Sequence, residues 1–260
     1  MDLFRANEIN EGLRNLCLGR VLLKSDYVAA TKTLPVGRQE TSYAASLPGT
    51  GLFRRYTTAV TVVEPGTTDT PGDIDHQEDA TIADPVGRPL DLTTTAALTG
   101  AYTAAAGAYV RPKTLPAVCG TLRMIPNDFV EGATEPDDKF FPGVFVCWQG
   151  TEWAPLSQGE YNESLIFLVR YAMIGADAVN NRQALVNATA QLVNLIGESN
   201  DLGGNVDSAK VTRAVPFWSE LGRNASRTNV RTTAQEHRIL WSDIFVECWR
   251  GAAWDKVSTS

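Results

Sequence analysis

Apolar residues recur along this chain with two different periods, and each period predicts one type of secondary structure. Near the N-terminus they follow the i, i+4, i+7, i+8 and i+12 spacing of one helical face, which predicts a helix over residues 2–24. The residues on this face are Ile9, Leu13, Leu16, Cys17 and Val21. The same criterion predicts a second helix over residues 178–197, capped by Asp177. Its apolar face comprises Leu185, Ala188, Leu192, Val193 and Ile196.

Five other segments have the short apolar runs or the two-residue alternation that is typical of β-strands. They are residues 54–64, 141–150, 163–177, 208–218 and 236–249. Pro216 predicts that the fourth of these strands lies at a sheet edge or ends there, because proline cannot donate a backbone hydrogen bond. The fifth strand is long enough that we expect it to bend.

The N-terminal half is less regular. Residues 31–55 are punctuated by proline and glycine, residues 65–91 are turn-rich and acidic, and residues 92–110 favour neither helix nor strand. The order of elements predicts an α+β fold, in which helices pack on one face of a mostly antiparallel sheet. We expect a single domain over residues 1–260, with residues 26–139 as a long irregular or β-rich insertion or subdomain within it.

The hydrophobic and charged fractions are typical of a folded protein, and the net charge limits the classes of partner that we expect. The 260 residues are 43% hydrophobic and 20% charged, and the formal net charge is −7. An acidic surface disfavours general binding to nucleic acid, because the phosphate backbone repels it. The sequence has no apolar run of the ~18 residues that a membrane span needs, and its N-terminus lacks the apolar core of a secretory signal. We therefore expect a protein that is made in the cytoplasm and binds no membrane.

The cysteines and tryptophans divide into expected core and expected interface residues. Because the four cysteines lie far apart and form no C-x-x-C pair, we expect reduced structural thiols, no metal site and no other cofactor. They are Cys17, Cys119, Cys147 and Cys248. Four tryptophans on or beside predicted strands are expected in the core: Trp148, Trp218, Trp241 and Trp249. Trp153 and Trp254 fall in predicted loops, where exposed tryptophans often mark an interface.

Gly203 and Gly204 lie between the second predicted helix and a predicted strand. Adjacent glycines can cradle a phosphate, but the phosphate-binding motifs need a helix after the glycines, whose N-terminal N–H groups hold the anion. Here the helix comes first, so the glycines would face its C-terminal carbonyls, which repel phosphate. We interpret the pair as a structural turn that uses positive φ.

The acidic segment carries four candidate binding residues, Asp73, Asp75, Glu78 and Asp79. With Asp84, the three aspartates match positions 1, 3, 7 and 12 of a calcium-binding loop. Position 6 is Glu78, whereas the sharp turn of such a loop needs glycine. This departure favours a solvated acidic loop, which is compatible with a surface that faces a partner.

Arginines recur every four residues in the segment GRNASRTNVRT, at Arg223, Arg227 and Arg231. On a helix this spacing forms one basic face, and in a loop it forms a basic arm. Arginine is favoured at interfaces because its planar guanidinium pairs with carboxylates and is weakly hydrated. Two interpretations stay open: a solvated loop, or a subunit contact with the acidic residues 69–91 of a neighbouring copy.

No residues of the chain form a catalytic signature. Cys119, His237 and Asp243 would be parts of a nucleophilic site, but no nucleophile lies in a local motif such as G-x-S-x-G. With two histidines in the chain, acid–base chemistry would depend on aspartate and glutamate, and no carboxylate pair stands out. We therefore expect that the protein is not an enzyme.

The order of elements resembles the tail terminator, or tail completion, proteins of tailed bacteriophages. The resemblance covers residues 1–25 and 140–252. It rests on a short N-terminal helix, a P-x-V-x-V strand at Pro142, Val144 and Val146, a long strand and helix, and the turn DLGGNV before the final strands. The turn is one residue shorter than in the family, and residues 26–139 are an addition that a minimal member lacks.

The resemblance implies a structural virion protein of the tail or neck, assembled in the host cytoplasm. It implies a homohexameric ring that ends the tail tube, contacts the tail tube protein and joins it to the head–tail connector or adaptor protein. DNA would pass through the lumen without specific binding, which suits an acidic chain. Two alternatives stay open: another neck or head-completion protein, and a β-rich module that binds calcium or stacks a carbohydrate on Trp153 or Trp254.

Overall fold

A computed structural model describes most residues of the predicted elements. The described residues are 3–36, 58–66, 74–83, 91–125, 140–157, 160–175, 178–198, 202, 206, 208–218 and 238–249. The helices are α1 (Leu3–Cys17), α2 (Ala117–Thr121) and α3 (Ala178–Glu198). The strands are β1 (Val21–Leu22), β2 (Thr33–Leu34), β3 (Ala59–Pro65), β4 (Ile74–Thr81), β5 (Leu92–Thr93), β6 (Tyr109–Pro112), β7 (Arg123–Met124), β8 (Gly143–Ser157), β9 (Glu160–Gly175), β10 (Ser208–Trp218) and β11 (Arg238–Trp249). The predicted α+β class is confirmed.

The C-terminal half forms a five-stranded sheet in the order β10-β11-β9-β8-β7. Its four long strands pair antiparallel, and the short β7 pairs with β8 in parallel. All four strands predicted in this half are confirmed, and β8 continues past its predicted end at residue 150. β10 is an end strand of this sheet, as Pro216 predicts.

The bend expected in the last strand stays a prediction, because strand register does not test it. β9 and β11 stay in unbroken register from Ser164↔Trp249 to Gly175↔Arg238. The register shift occurs in β10 between Val211 and Arg213, where Thr212 is an extra residue. A bulge is tolerated better in an end strand, because a central strand would lose hydrogen bonds on both sides.

Two helices cover one face of this sheet, as predicted. α1 and α3 pack against each other and against the long strands. Leu13 of α1, Leu192 of α3 and Phe167 of β9 have no exposed surface and belong to one core cluster. The core exists because both helices place their apolar residues at helical spacing, while alternate residues of each strand point to the same face.

α1 ends seven residues earlier than the predicted boundary at residue 24. Gly19 has φ +62°, and its N–H donates to the Leu16 carbonyl at 2.9 Å, so a left-handed turn closes the helix. A Cβ at Gly19 would lie 2.5 Å from Leu115 Cδ1. Val21, predicted on the helical face, therefore lies in β1. The prediction was wrong because the apolar spacing continues past Gly19, whereas this glycine ends the helix.

The acidic segment contains a strand where the sequence predicted a loop. β4 pairs antiparallel with β3 from Ala59↔Thr81 to Glu64↔His76, in a four-stranded sheet of order β1-β6-β3-β4. The buried apolar residues of this strand pair come from β3, where Val60 and Val62 have no exposed surface. The prediction was wrong because a strand at a sheet end needs no apolar face of its own, and its polar residues stay half-buried or exposed.

One hydrophobic core receives residues from both sheets. Val60 and Val110 of the four-stranded sheet lie in the same cluster as Val146 and Ile244 of the five-stranded sheet. β1 lies before residue 26 and pairs with β6, whereas β7 lies within residues 26–139 and pairs with β8. The assignment of residues 26–139 as an insertion stays a prediction. Among the described residues, no helix is long and apolar enough to span a membrane.

The second face of the five-stranded sheet carries a smaller cluster of Ile125, Phe145 and Ala172, against which Trp241 packs. Trp148 packs against the main core instead. Both tryptophans are half-buried, as is Trp249, so the predicted core positions are confirmed for these three only in part. The side chain of Trp218 lies outside the described residues.

Gly143 is a position where we expect substitution by alanine to destabilise the fold. A Cβ there would lie 2.3 Å from the Phe140 carbonyl oxygen and 2.6 Å from Ile125 Cγ1, so either the backbone or the smaller cluster must shift. Overpacking of this kind costs about 1 to 3 kcal/mol of unfolding free energy. Urea unfolding of Gly143→Ala measures the loss. Gly197→Ala is the matched control, because a Cβ at Gly197 meets nothing within 4 Å; an equal loss in both variants would contradict the crowding at Gly143.

Candidate functional site

β4 brings three of the predicted interface residues together at the end of the four-stranded sheet. Asp75, Glu78 and Asp79 follow one another on an eight-residue strand. Asp75 and Asp79 lie on its exposed side, and Glu78 is half-buried on the opposite side. Asp75 and Asp79 therefore form an exposed acidic row on one face of β4, while the other face of the strand packs against the rest of the chain.

Two glutamates hold the segment 99–103 against β3 and β4. Glu78 Oε2 accepts hydrogen bonds from the Thr99 backbone N–H at 2.8 Å and the Thr99 hydroxyl at 3.0 Å. Glu64, buried at 7% exposure, accepts from the Thr103 N–H at 2.9 Å and the Thr103 hydroxyl at 2.7 Å. Hydrogen bonds to ionised acceptors are stronger than neutral ones, so these carboxylates fix the segment.

His76 lies between the two glutamate contacts. Its Nδ1 is 2.9 Å from Asp75 Oδ2, and its ring centroid is 4.8 Å from that of the buried Tyr102. A Cβ at Gly100 would lie 2.7 Å from the His76 ring, so glycine permits this close approach. The hydrogen bond with Asp75 raises the pKa of His76. Burial raises the pKa of Tyr102 to about 12, and the charges of Glu78 and Glu64 add to the effect.

Because the folded pKa of His76 is raised, protonation of His76 stabilises the fold. Its contribution is fully present below the unfolded pKa, about 6.5, and is lost as pH rises through the higher folded pKa. We expect the difference in unfolding free energy between wild type and His76→Gln to shrink across this window. Denaturant unfolding at several pH values measures it. Asp75→Asn, which removes the first cause of the shift, should flatten the same dependence; a difference that grows with pH would contradict the assignment.

A shallow cleft of about 230 Å³ adjoins the acidic row. Its charged lining residues are Glu78, Asp79 and Lys113. Asp79 forms an ion pair with Lys113 and accepts a hydrogen bond from the Thr61 hydroxyl at 2.9 Å, and these contacts lower the pKa of Asp79. The charges at the cleft thus take part in contacts within the chain.

Sequence reasoning missed an ion pair on the second face of the five-stranded sheet. Arg170 of β9 donates from Nε and Nη2 to the two carboxylate oxygens of Asp243 in β11, at 2.6 and 2.8 Å. The Asp243 side chain is 8% exposed, and the Arg170 guanidinium lies over the Trp241 ring, 5.3 Å from its centroid. Asp243 itself could have predicted the ion pair, since a charged residue inside the apolar run ILWSDIFVEC needs a partner of opposite charge.

The cysteines are free thiols, as predicted. Cys17, Cys119 and Cys248 are buried, and Cys147 is half-buried. Burial raises the pKa of all four thiols, to about 12 for Cys119 and Cys248. A raised pKa leaves little thiolate near neutral pH, so these residues act as small apolar side chains. Within the part of the chain that the structure describes, no cluster of His, Cys, Asp and Glu has a metal-binding arrangement.

Several predicted site residues lie outside the described residues: Asp73, Gly203, Gly204, Arg223, Arg227, Arg231 and Trp254. Trp153, predicted in a loop, lies within β8 opposite Glu163 of β9, because the β8–β9 pairing extends to Ser157↔Glu160. The loop assignment of Trp153 was therefore wrong. The helix before the glycine pair and the strand after it are confirmed, since α3 ends at Glu198 and β10 begins at Ser208. The turn role of the two glycines stays a prediction.

No family model matches the chain, and no curated protein matches it either.

Proposed function

We propose that this protein is a structural component of a tailed-phage virion, which forms a ring at the neck, ends the tail tube and joins it to the head connector. One observation carries the proposal. The segments that resemble tail terminators form a single layered unit, in which α1 and α3 cover one face of the sheet of β8, β9, β11 and β10. Their chain order is helix, two strands, helix, two strands, which is the order on which the resemblance rests.

Two further features support a role in assembly. Asp75 and Asp79 are exposed on β4, an end strand of its sheet, where another protein surface can reach them. The formal charge of −7 suits a conduit, because an acidic lumen repels DNA and lets it slide. The calcium-binding alternative receives no support from β4, because a calcium loop folds around its ion whereas Ile74–Thr81 is extended and paired with β3.

A tube-capping assay tests the proposal. Tail tube protein of the same virus is polymerised with and without the purified chain, and tube ends are imaged by electron microscopy. We expect shorter tubes that carry extra density at one end. The chain heated until unfolded and then cooled is the control for nonspecific inhibition. Tubes of unchanged length and bare ends, at a molar excess of the folded chain, would contradict the proposal.

A further inference from the structure

The two sheets end in strands of opposite charge. Among the described strands, β4 pairs only with β3 and β10 pairs only with β11, so each has one side without a described partner strand. On that side of β4, the Thr81 carbonyl at the end of the strand accepts a hydrogen bond from the Thr95 N–H at 2.9 Å, so the edge offered to a partner is Ile74–Ala80. β4 carries Asp75, Glu78 and Asp79. β10 carries Lys210 and Arg213 and no acidic residue. Both of these basic side chains are exposed, as are Asp75 and Asp79.

We propose that β4 of one copy pairs with β10 of the next copy and that this strand pairing builds the ring. The inference rests on the proposed function, since it specifies the contact between subunits of that ring. Strand edges present backbone N–H and C=O groups that readily pair with another chain. Opposite charges on facing strands stabilise the pairing, whereas like charges directly opposite each other destabilise it. β4 therefore disfavours a second β4 and favours the basic β10.

The geometry of the two strands suits a head-to-tail contact. An interface between two different surfaces is heterologous, and it closes into a ring when the rotation between subunits permits. β4 has eight residues and β10 has eleven. Pro216 has no N–H, so the paired part of β10 is its first section, where Lys210 and Arg213 lie. That section matches β4 in length.

The contact uses exposed side chains of the two end strands. Asp75 contacts only the half-exposed His76 among the described residues. The side chains of Lys210 and Arg213 are exposed, although the same strand contributes Ala209 to the core cluster. Asp79 is engaged by Lys113 and Thr61, so its charge is partly compensated within the chain. We therefore assign most of the attraction on the acidic side to Asp75 and on the basic side to Lys210 and Arg213.

Charge reversal tests the contact. In Lys210→Glu/Arg213→Glu, we expect association, measured by sedimentation velocity, to weaken at least about tenfold, because like charges now face each other. Adding Asp75→Lys to the same chain should restore part of the association, since a lysine on β4 then faces the two introduced glutamates. Lys24→Glu/Arg123→Glu, which reverses two exposed charges elsewhere, is the control and should associate as wild type does.

Hydrogen exchange of wild-type protein at low and high concentration gives a second readout that needs no variant. We expect amides of Ile74–Thr81 and Ser208–Val215 to become protected as the protein associates. Rings that persist in Lys210→Glu/Arg213→Glu, or protection elsewhere but not in these two strands, would overturn the strand contact while leaving the ring itself intact. A wild-type chain that stays monomeric at every concentration would overturn both the contact and the proposed function.

Discussion

Replacing Arg170 with methionine is expected to lower the unfolding free energy by about 3 to 5 kcal/mol. The carboxylate of Asp243 is 8% exposed and accepts two hydrogen bonds from the guanidinium. Without Arg170, the carboxylate is left charged and unpaired in a poorly solvated site between two central strands. Denaturant unfolding followed by circular dichroism measures the loss.

A matched double variant separates the lost pairing from lost packing. Arg170→Met/Asp243→Asn removes the charge that the single variant leaves unpaired, so we expect it to recover a large part of the lost stability. Buried ion pairs contribute little net stability when both partners are replaced together, although breaking one partner is costly. A double variant as unstable as Arg170→Met would show that Arg170 acts through packing, for instance on Trp241.

Truncation of Leu192 to alanine is expected to cost about 2 to 5 kcal/mol of unfolding free energy. Leu192 has no exposed surface and lies where α3 packs on the sheet. The loss combines the removed apolar contacts with the cavity that remains. Val186→Ala on the same helix is the control, because Val186 is 44% exposed and its truncation should change stability by less than about 0.5 kcal/mol. Equal losses would contradict the assigned face of α3.

Helices and long strands could be predicted from the sequence because their apolar residues repeat over many positions. Several residues define each pattern, namely the apolar face of α3 with Leu185 and Leu192 and the apolar run of β9. One residue that departs from the pattern therefore does not change the predicted helix or strand. Boundaries depended on single residues. Gly19 ends α1 through a positive φ, which the apolar period does not report.

The candidate site was harder to predict because its contacts join distant parts of the chain. Asp75, Glu78 and Asp79 were singled out as acids, but their strand conformation is set by pairing with β3. The hydrogen bond from Thr103 to Glu64 spans 39 positions, and that from Arg170 to Asp243 spans 73. No local sequence pattern contains both partners of such a contact. The sequence therefore shows that a buried charge needs a hydrogen-bond partner, but it does not show which residue is that partner.

The central claim is that this chain assembles into a closed ring. Electron-microscopy class averages of the purified full chain, at a concentration where light scattering gives a stable mass, test it most directly. We expect annular particles with a central opening and a mass that is a whole multiple of the 28.2 kDa chain, six being the expected number. Single compact particles of one chain's mass, both alone and in the presence of tail tubes, would contradict it.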